Sequence, residues 1–234
     1  MSITVDVVDP WEAAGSVGPE DGAVIVDVFR ATSTIQVLTD QDCTVIPLRE
    51  VPGASPAAGV LRVGEWQGVT PLGFAAGNSP VEVMSECFRS AVVEFISSNG
   101  VAAILAVRHA MHVLCGSLFN EKSVPCAVGS LTEGKMRWWL IPAGCRGSRR
   151  PEDDYVCAKI GERLLASGVT AAPRAADFIG RNSHLSERHL RESPGARFLI
   201  ENGAQRDLAF ILESGYVSTS VPHLRPEGIR NLSH

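Results

Sequence analysis

Apolar positions along the chain follow two periods. Residues 3–8 alternate and are rich in β-branched side chains, the pattern of a strand with one buried face. Residues 15–22, after Pro10, read as a Gly/Pro-rich loop. Residues 23–28, AVIVDV, are almost continuously apolar and read as a strand covered on both faces. They run into Arg30-Ala31-Thr32-Ser33-Thr34, after which Ile35, Val37 and Leu38 take helical spacing. Thr32 or Ser33 is the candidate N-cap of that helix. Further short strands are expected at 44–48, 92–96 and 136–141, and a turn entering a short helix at 52–59. Helical spacing is expected at 102–114, 117–128 and 152–165. The last third reads as mostly helical, at 171–181, 184–193 and 196–202, with Gly203 stopping the last of these. Residues 210–211 and 217–221 are candidates for late strands.

Alternating strands and helices predict an α/β fold: a mainly parallel sheet flanked by helices, with a largely helical C-terminal third. No repeat or linker divides residues 1–234, which read as one α/β domain. Any subdomain boundary is placed near 130–145. Three polar clusters, at 27–34, 97–100 and 143–154, fall at the carboxyl ends of expected strands, where open α/β sheets collect their ligands.

Composition narrows the function classes. A net charge of −5 makes the chain a poor candidate for nucleic-acid binding, which needs a basic face to neutralise phosphates. No apolar stretch has the length of a membrane span. The opening MSITVDVVDPW lacks a basic stretch followed by an apolar one, so a cytoplasmic protein is expected. Six cysteines without a C-x-x-C pair read as reduced thiols rather than a zinc site.

Each cluster has a chemical and a plain reading. Asp27 at a strand end can hold a metal ion, and the hydroxyls and helix N–H groups after it can hold an anion. Arg30 could clamp a phosphate or sulfonate through two donors. The same segment also reads as a capped helix with a surface arginine. Gly64-Glu65-Trp66-Gln67-Gly68 and Gly77-Asn78-Ser79-Pro80 are polar loops that also suit plain turns. Asn99-Gly100 tolerates positive φ and suits an anion nest or an ordinary βα turn. Glu152-Asp153-Asp154 opens a helix, where the macrodipole alone favours acids, and Arg146, Arg149 and Arg150 lie beside it. Cys157 and Arg163 have the spacing of a cysteine-phosphatase loop, but the flanking apolar periodicity places Cys157 inside a helix. The pairs His109/His112 and His184/His189 lack a third ligand and read as packing or surface histidines. No P-loop or G-x-S-x-G element occurs.

In their order and spacing the clusters resemble one family. The segment from Ile25 to Thr34, Gly64-Glu65, Gly73-Phe74, Gly77-Asn78-Ser79-Pro80, Ser98-Asn99-Gly100, Ala143-Gly144 and Glu152-Asp153 are similar to the 2-phosphosulfolactate phosphatases. The resemblance implies a Mg²⁺-dependent phosphatase on an α/β fold, acting on 2-phospho-3-sulfolactate or a related small phosphorylated acid. It implies that Asp27, Glu65, Glu152 and Asp153 form the acidic set, shared between metal ligands and the base or nucleophile. It also implies that Arg30, Ser33, Thr34, Asn78, Ser79, Asn99, Gly100 and Arg146 hold the substrate. The alternatives are another phosphorylated metabolite, such as a nucleotide, a sugar or a natural-product intermediate, and a non-catalytic anion-binding relative. A homodimer is the base-rate expectation for assembly. The family usually reads G-E-R-x-G where this chain has Trp66, and Thr-Thr-Asn-Gly-Thr where it has Ser97-Ser98-Asn99-Gly100-Val101. Trp66 replaces a cationic anion clamp with an aromatic platform. A less charged substrate, or one with a ring to stack on Trp66, is the expectation.

Overall fold

The strands that end in polar clusters are apolar along their length because other layers cover them. All five residues of β2 (Gly22–Val26) are buried. The computed structural model describes residues 2–232. In chain order its elements are β1 Ser2–Val7, α1 Pro10–Ser16, β2, α2 Ala31–Asp40, β3 Thr44–Pro47, β4 Val60–Gly64, β5 Val92–Ile96, α3 Gly100–Ala106, β6 His112–Gly116, α4 Val124–Leu131, β7 Lys135–Pro142 and α5 Pro151–Ala166. Then come β8 Thr170–Ala171, α6 Pro173–Asn182, α7 Glu187–Arg191, α8 Pro194–Glu201, α9 Gln205–Glu213, β9 Pro222–Arg225 and β10 Gly228–Asn231.

The strands join one ten-stranded sheet in the order β4-β5-β3-β10-β9-β6-β2-β7-β1-β8. Pairing is parallel within β4-β5-β3 and within β6-β2-β7-β1-β8. The β9–β10 hairpin stands between these two parallel blocks and contributes the antiparallel pairings between the strands named above. Three antiparallel steps in succession would make the two blocks run in opposite directions in a flat ribbon. Their carboxyl ends nevertheless meet: a Cβ added at Gly100, just after β5, would lie 2.6 Å from Asp27 Oδ2, just after β2. The sheet therefore coils at the hairpin and brings the two sets of carboxyl ends together. Helix α2, buried from Ala31 to Thr39, packs against strands of both blocks and against the hairpin.

Polar bonds fasten the hairpin segment to α2. Asp40, the last residue of α2, accepts hydrogen bonds from Tyr216 Oη (2.8 Å), Ser220 Oγ (2.7 Å) and Asn231 Nδ2 (2.9 Å). Gln36, one turn earlier, donates to Ser218 Oγ (2.9 Å) and accepts from Asn120 Nδ2 (2.6 Å).

The α/β class and the mostly parallel sheet match the sequence reading, but several elements differ. The stretch 102–114 is not one helix. Helix α3 ends at Ala106, and HVLCG forms the central strand β6, paired with β2 along its whole length. A short apolar run has no period that separates a buried helix from a buried strand. His112 thus opens a strand, and no helix carries the 109/112 pair. The second helix there begins only at Val124. Pro10 and residues 15–16, read as loop, belong to α1, with Pro10 in its first turn, where the missing N–H costs nothing. The short helix expected after 52–59 is absent among the described residues. Residues 210–211 lie inside α9, and the late strands are β9 and β10, so the C-terminal third carries several helices but ends in a hairpin. Neither Thr32 nor Ser33 caps α2; its N-cap position is Arg30, and no side chain bonds there.

Asp40→Ala removes the shared acceptor of the hairpin segment. It should lower unfolding free energy by about 3 kcal/mol, since bonds to a charged group are worth roughly 1.5–3 kcal/mol each. The urea midpoint measures this.

Candidate active site

Four strand ends build the site. Asp27 follows β2, where the Thr32 hydroxyl accepts from its N–H (3.0 Å) and donates to its carbonyl (2.9 Å). The Ser33 hydroxyl donates to the Val28 carbonyl (2.9 Å). These hydroxyls shape the loop instead of facing a ligand. Ala31 N–H, at the start of α2, reaches Asp27 Oδ1 (3.3 Å).

Asp153, in the first turn of α5, accepts one backbone N–H on each oxygen: Val28 after β2 (2.8 Å) and Gly144 after β7 (2.9 Å). Gly144 has φ +62°, and a Cβ there would collide with the Ser148 carbonyl, so the turn requires glycine. Glu65 follows β4. It accepts from Ser98 N–H (2.7 Å) and Ser98 Oγ (3.0 Å) after β5, and from Gly68 N–H (2.6 Å). Asn99 Oδ1 accepts from Arg146 N–H at 3.4 Å, which links the loops after β5 and β7.

A cavity of about 580 Å³ opens between these ends. Of the residues named from the sequence, Asp27, Glu65, Glu152, Asp153, Arg30, Asn78, Asn99 and Arg146 line it. Ser33, Thr34, Ser79 and Gly100 do not. Ser33 serves the backbone, Thr34 is buried, and Ser79 donates to Asp207 Oδ1 (2.5 Å). Gly100 lies behind Asp27, against Ala31. Trp66 does not line the cavity either; it sits in a small bridge with Val69 on the outside of that turn, and its neighbours Gln67 and Gly68 face inward. The aromatic rings of the lining are Phe29 and Phe198.

The sequence reading also missed Asp207. This buried side chain of α9 forms an ion pair with Arg30, and its other oxygen holds the Ser79 hydroxyl. It thereby fixes both Arg30 and the loop that places Asn78. No local pattern could link residues 177 positions apart. Gly195 and Phe198 of α8 had a faint signal in the turn-forming Ser193-Pro194-Gly195. Gly195 is also needed for space: a Cβ there would strike the Glu152 carboxylate.

Burial raises the proton affinity of Asp27, Asp153 and Glu152. Burial, opposed by the Ala31 N–H and reinforced by Glu65 and Glu152, lifts Asp27 from 3.8 to about 7. Burial, with Asp27 and Glu152 beside it, holds Asp153 well above the usual carboxylate range. Burial also raises Glu152, against the pull of Ser193 and Arg150, and its Oε2 is buried with no hydrogen-bond partner. Cys157 is confirmed inside a helix, α5, where burial pushes its thiol far up, so no thiolate loop forms.

A family model described as 2-phosphosulpholactate phosphatase matches residues 11–226. The chain belongs to this family. Among relatives, one from Deinococcus radiodurans is 32% identical over 88% of this chain and 88% of its own length. One from Gloeobacter violaceus is 30% identical over 91% and 92%, and one from Thermotoga petrophila 30% over 80% and 82%. All three are named probable 2-phosphosulfolactate phosphatase. The family match begins at Trp11 and ends just past β9, so it takes in all four strand ends of the site. Among the described residues no helix is long and apolar enough to cross a membrane. No group of three or more His, Cys, Asp or Glu side chains among them converges to hold an ion.

Asp27 and Asp153 generate a pH dependence. Between pH 3.8 and about 7 the folded chain keeps on Asp27 a proton that the unfolded chain has lost. The folded state then binds more protons, so stability falls as pH rises through that window. Urea midpoints at pH 5 and pH 7.5, without divalent cations, should show the higher value at pH 5 for the native chain. The difference should shrink in Asp27→Asn.

Proposed function

We propose that this chain hydrolyses a small phosphate monoester of the 2-phosphosulfolactate type with the help of Mg²⁺. The observation that carries this reading is the meeting of four carboxylates and three guanidinium groups around one cavity at the strand ends. The relatives' names and the family match support the same substrate class.

The donor set suits Mg²⁺, which takes oxygen ligands and commonly only one or two carboxylates, completing its shell with waters and phosphate oxygens. Three converging acids are therefore not required. Glu152, with a buried oxygen lacking any partner, and Asp27 beside it would hold the ion. Mg²⁺ there would neutralise charge on the phosphoryl oxygens. Glu65 has committed its oxygens to Ser98 and Gly68 and keeps the facing turn in place. Arg146 and Arg150 line the space a phosphate would fill, as does Arg30, which is paired with Asp207. Asp153, fixed by two N–H groups and of raised proton affinity, is set to take the proton of the attacking water. As the water oxygen bonds to phosphorus, the ester P–O bond breaks; the departing alkoxide takes a proton from solvent and leaves as the alcohol, and Asp153 returns its proton to solvent.

Phosphate release from phosphosulfolactate, phospholactate, sugar phosphates, nucleoside monophosphates and p-nitrophenyl phosphate, with Mg²⁺ and with EDTA, tests this. Release that needs Mg²⁺ is expected. Asp153→Asn should lower kcat by about 10²–10⁴-fold, the range for loss of an acid–base group. Asp207→Asn leaves Arg30 without its orienting carboxylate and should raise KM about ten-fold, with a smaller change in kcat. Metal-independent release, or none from any ester, would refute the reading.

A further inference from the structure

Two turns at the cavity share one geometry. After Glu65, the backbones of Trp66 and Val69 exchange two hydrogen bonds (2.9 and 3.1 Å), with Gln67 at φ +55° and Gly68 at φ +86° between them. After Gly144, Cys145 and Ser148 do the same (2.8 and 3.0 Å), with Arg146 at φ +51° and Gly147 at φ +74°. Positive φ at both central residues marks a type I′ turn, whose first central position favours Asn, Asp or Gly. Here that position holds Gln and Arg, long side chains for which this backbone is uncommon.

The turns are also docked alike. The Gln67 N–H donates to Ser98 Oγ (2.7 Å), and the Arg146 N–H donates to Asn99 Oδ1 (3.4 Å). Consecutive residues of the loop after β5 thus anchor the same point of each turn. All four of these residues line the cavity. The backbone bonds fix the root of each long side chain, but the tips are uncommitted. Among the described residues neither the Gln67 amide nor the Arg146 guanidinium has a hydrogen bond or an ion pair, and both residues are exposed. By contrast, Arg30 is tied to Asp207, and Glu65 to Ser98 and Gly68. A fixed root with a free polar tip serves a ligand and not the fold.

The two tips suit two different acidic groups. A guanidinium is a planar fork that matches the two coplanar oxygens of a carboxylate. A sulfonate spreads its charge over three tetrahedral oxygens, each of which accepts a single N–H from a neutral amide. Trp66 is absent from the lining, so its indole takes no clamp away from such a ligand.

We infer that Gln67 and Arg146 are the specificity-determining arms of the site: Arg146 takes the carboxylate of the substrate and Gln67 its sulfonate. The phosphate is left to the metal ion, Arg30 and Arg150. This rests on the phosphatase reading and deepens it.

Three esters test the inference through ratios of kcat/KM on the full chain with Mg²⁺. 2-Phosphosulfolactate carries both acids, 2-phospholactate the carboxylate alone, and isopropyl phosphate neither. The native chain should prefer them in that order. Gln67→Gly should cut the preference for phosphosulfolactate over phospholactate about ten-fold, the scale of one hydrogen bond to a charged group. Glycine takes φ +55° more readily than glutamine, so this change removes the side chain and keeps the turn. Gln67→Asn retains an amide at a φ that asparagine tolerates and should keep more of the preference than glycine does. Arg146→Gly should instead cut the preference for phospholactate over isopropyl phosphate, again by about ten-fold or more. Ratios unmoved by these changes, or a native preference for isopropyl phosphate, overturn the inference and leave the phosphatase reading standing. Release from none of the three esters by the native chain refutes the inference, and silence toward every other ester refutes the phosphatase reading as well.

Discussion

Asp153 is the fastening on which the site depends. One carboxylate takes the Val28 N–H after β2 and the Gly144 N–H after β7, while its own backbone begins α5. Two strand ends and a helix start are locked by two bonds to a single buried group. Charge-assisted bonds of this kind are stronger than neutral ones and fix direction as well as distance. They also hold Asp153 beside Asp27 and Glu152, so the fold keeps acids together that repel one another. Burial chiefly, and the neighbouring acids after it, raise the proton affinity of Asp27 and Asp153, and groups so perturbed in a cleft commonly do chemistry.

The second constraint is the coiled sheet. Parallel blocks on either side of β9–β10 would separate Glu65 and Asn99 from Asp27 and Asp153 if the sheet were flat. The hairpin turns one block over the other, and Asp40 with Gln36 ties the hairpin's segment to α2. The last strands of the chain thus complete an active site to which they contribute no lining residue. The two helices before them do contribute: α8 gives Phe198 and Leu199 to the lining, and α9 gives the carboxylate that holds Arg30.

Legibility in the sequence followed the range of the interaction involved. The segment from residue 23 to the start of α2 was readable because an apolar run and a polar turn are adjacent in the chain. The acids at 27, 65, 152 and 153 were named through the resemblance to the family, and all four line the cavity. Strand β6 was not readable. HVLCG is apolar with no period, and its place between β2 and β9 is set by pairing. The hydroxyls of Ser33 and Thr34 looked like ligands, because their type fits an anion site. The direction of each hydroxyl is decided by which backbone carbonyl or core group lies nearest, and for Ser33 that is Val28.

The sequence by itself determined the α/β class and the polar strand ends, since local periodicity and neighbouring residue types carry that information; the acidic set followed from the resemblance to the family. Only the tertiary structure decided which side chains share the cavity. Arg30 meets Asp207, Glu65 meets Ser98, and Phe198 lines the cavity while Trp66 does not, all through contacts between distant segments. Such contacts depend on the coiling of the sheet and on the seating of α8 and α9. Both are set by long-range packing that leaves no mark on any short stretch of chain.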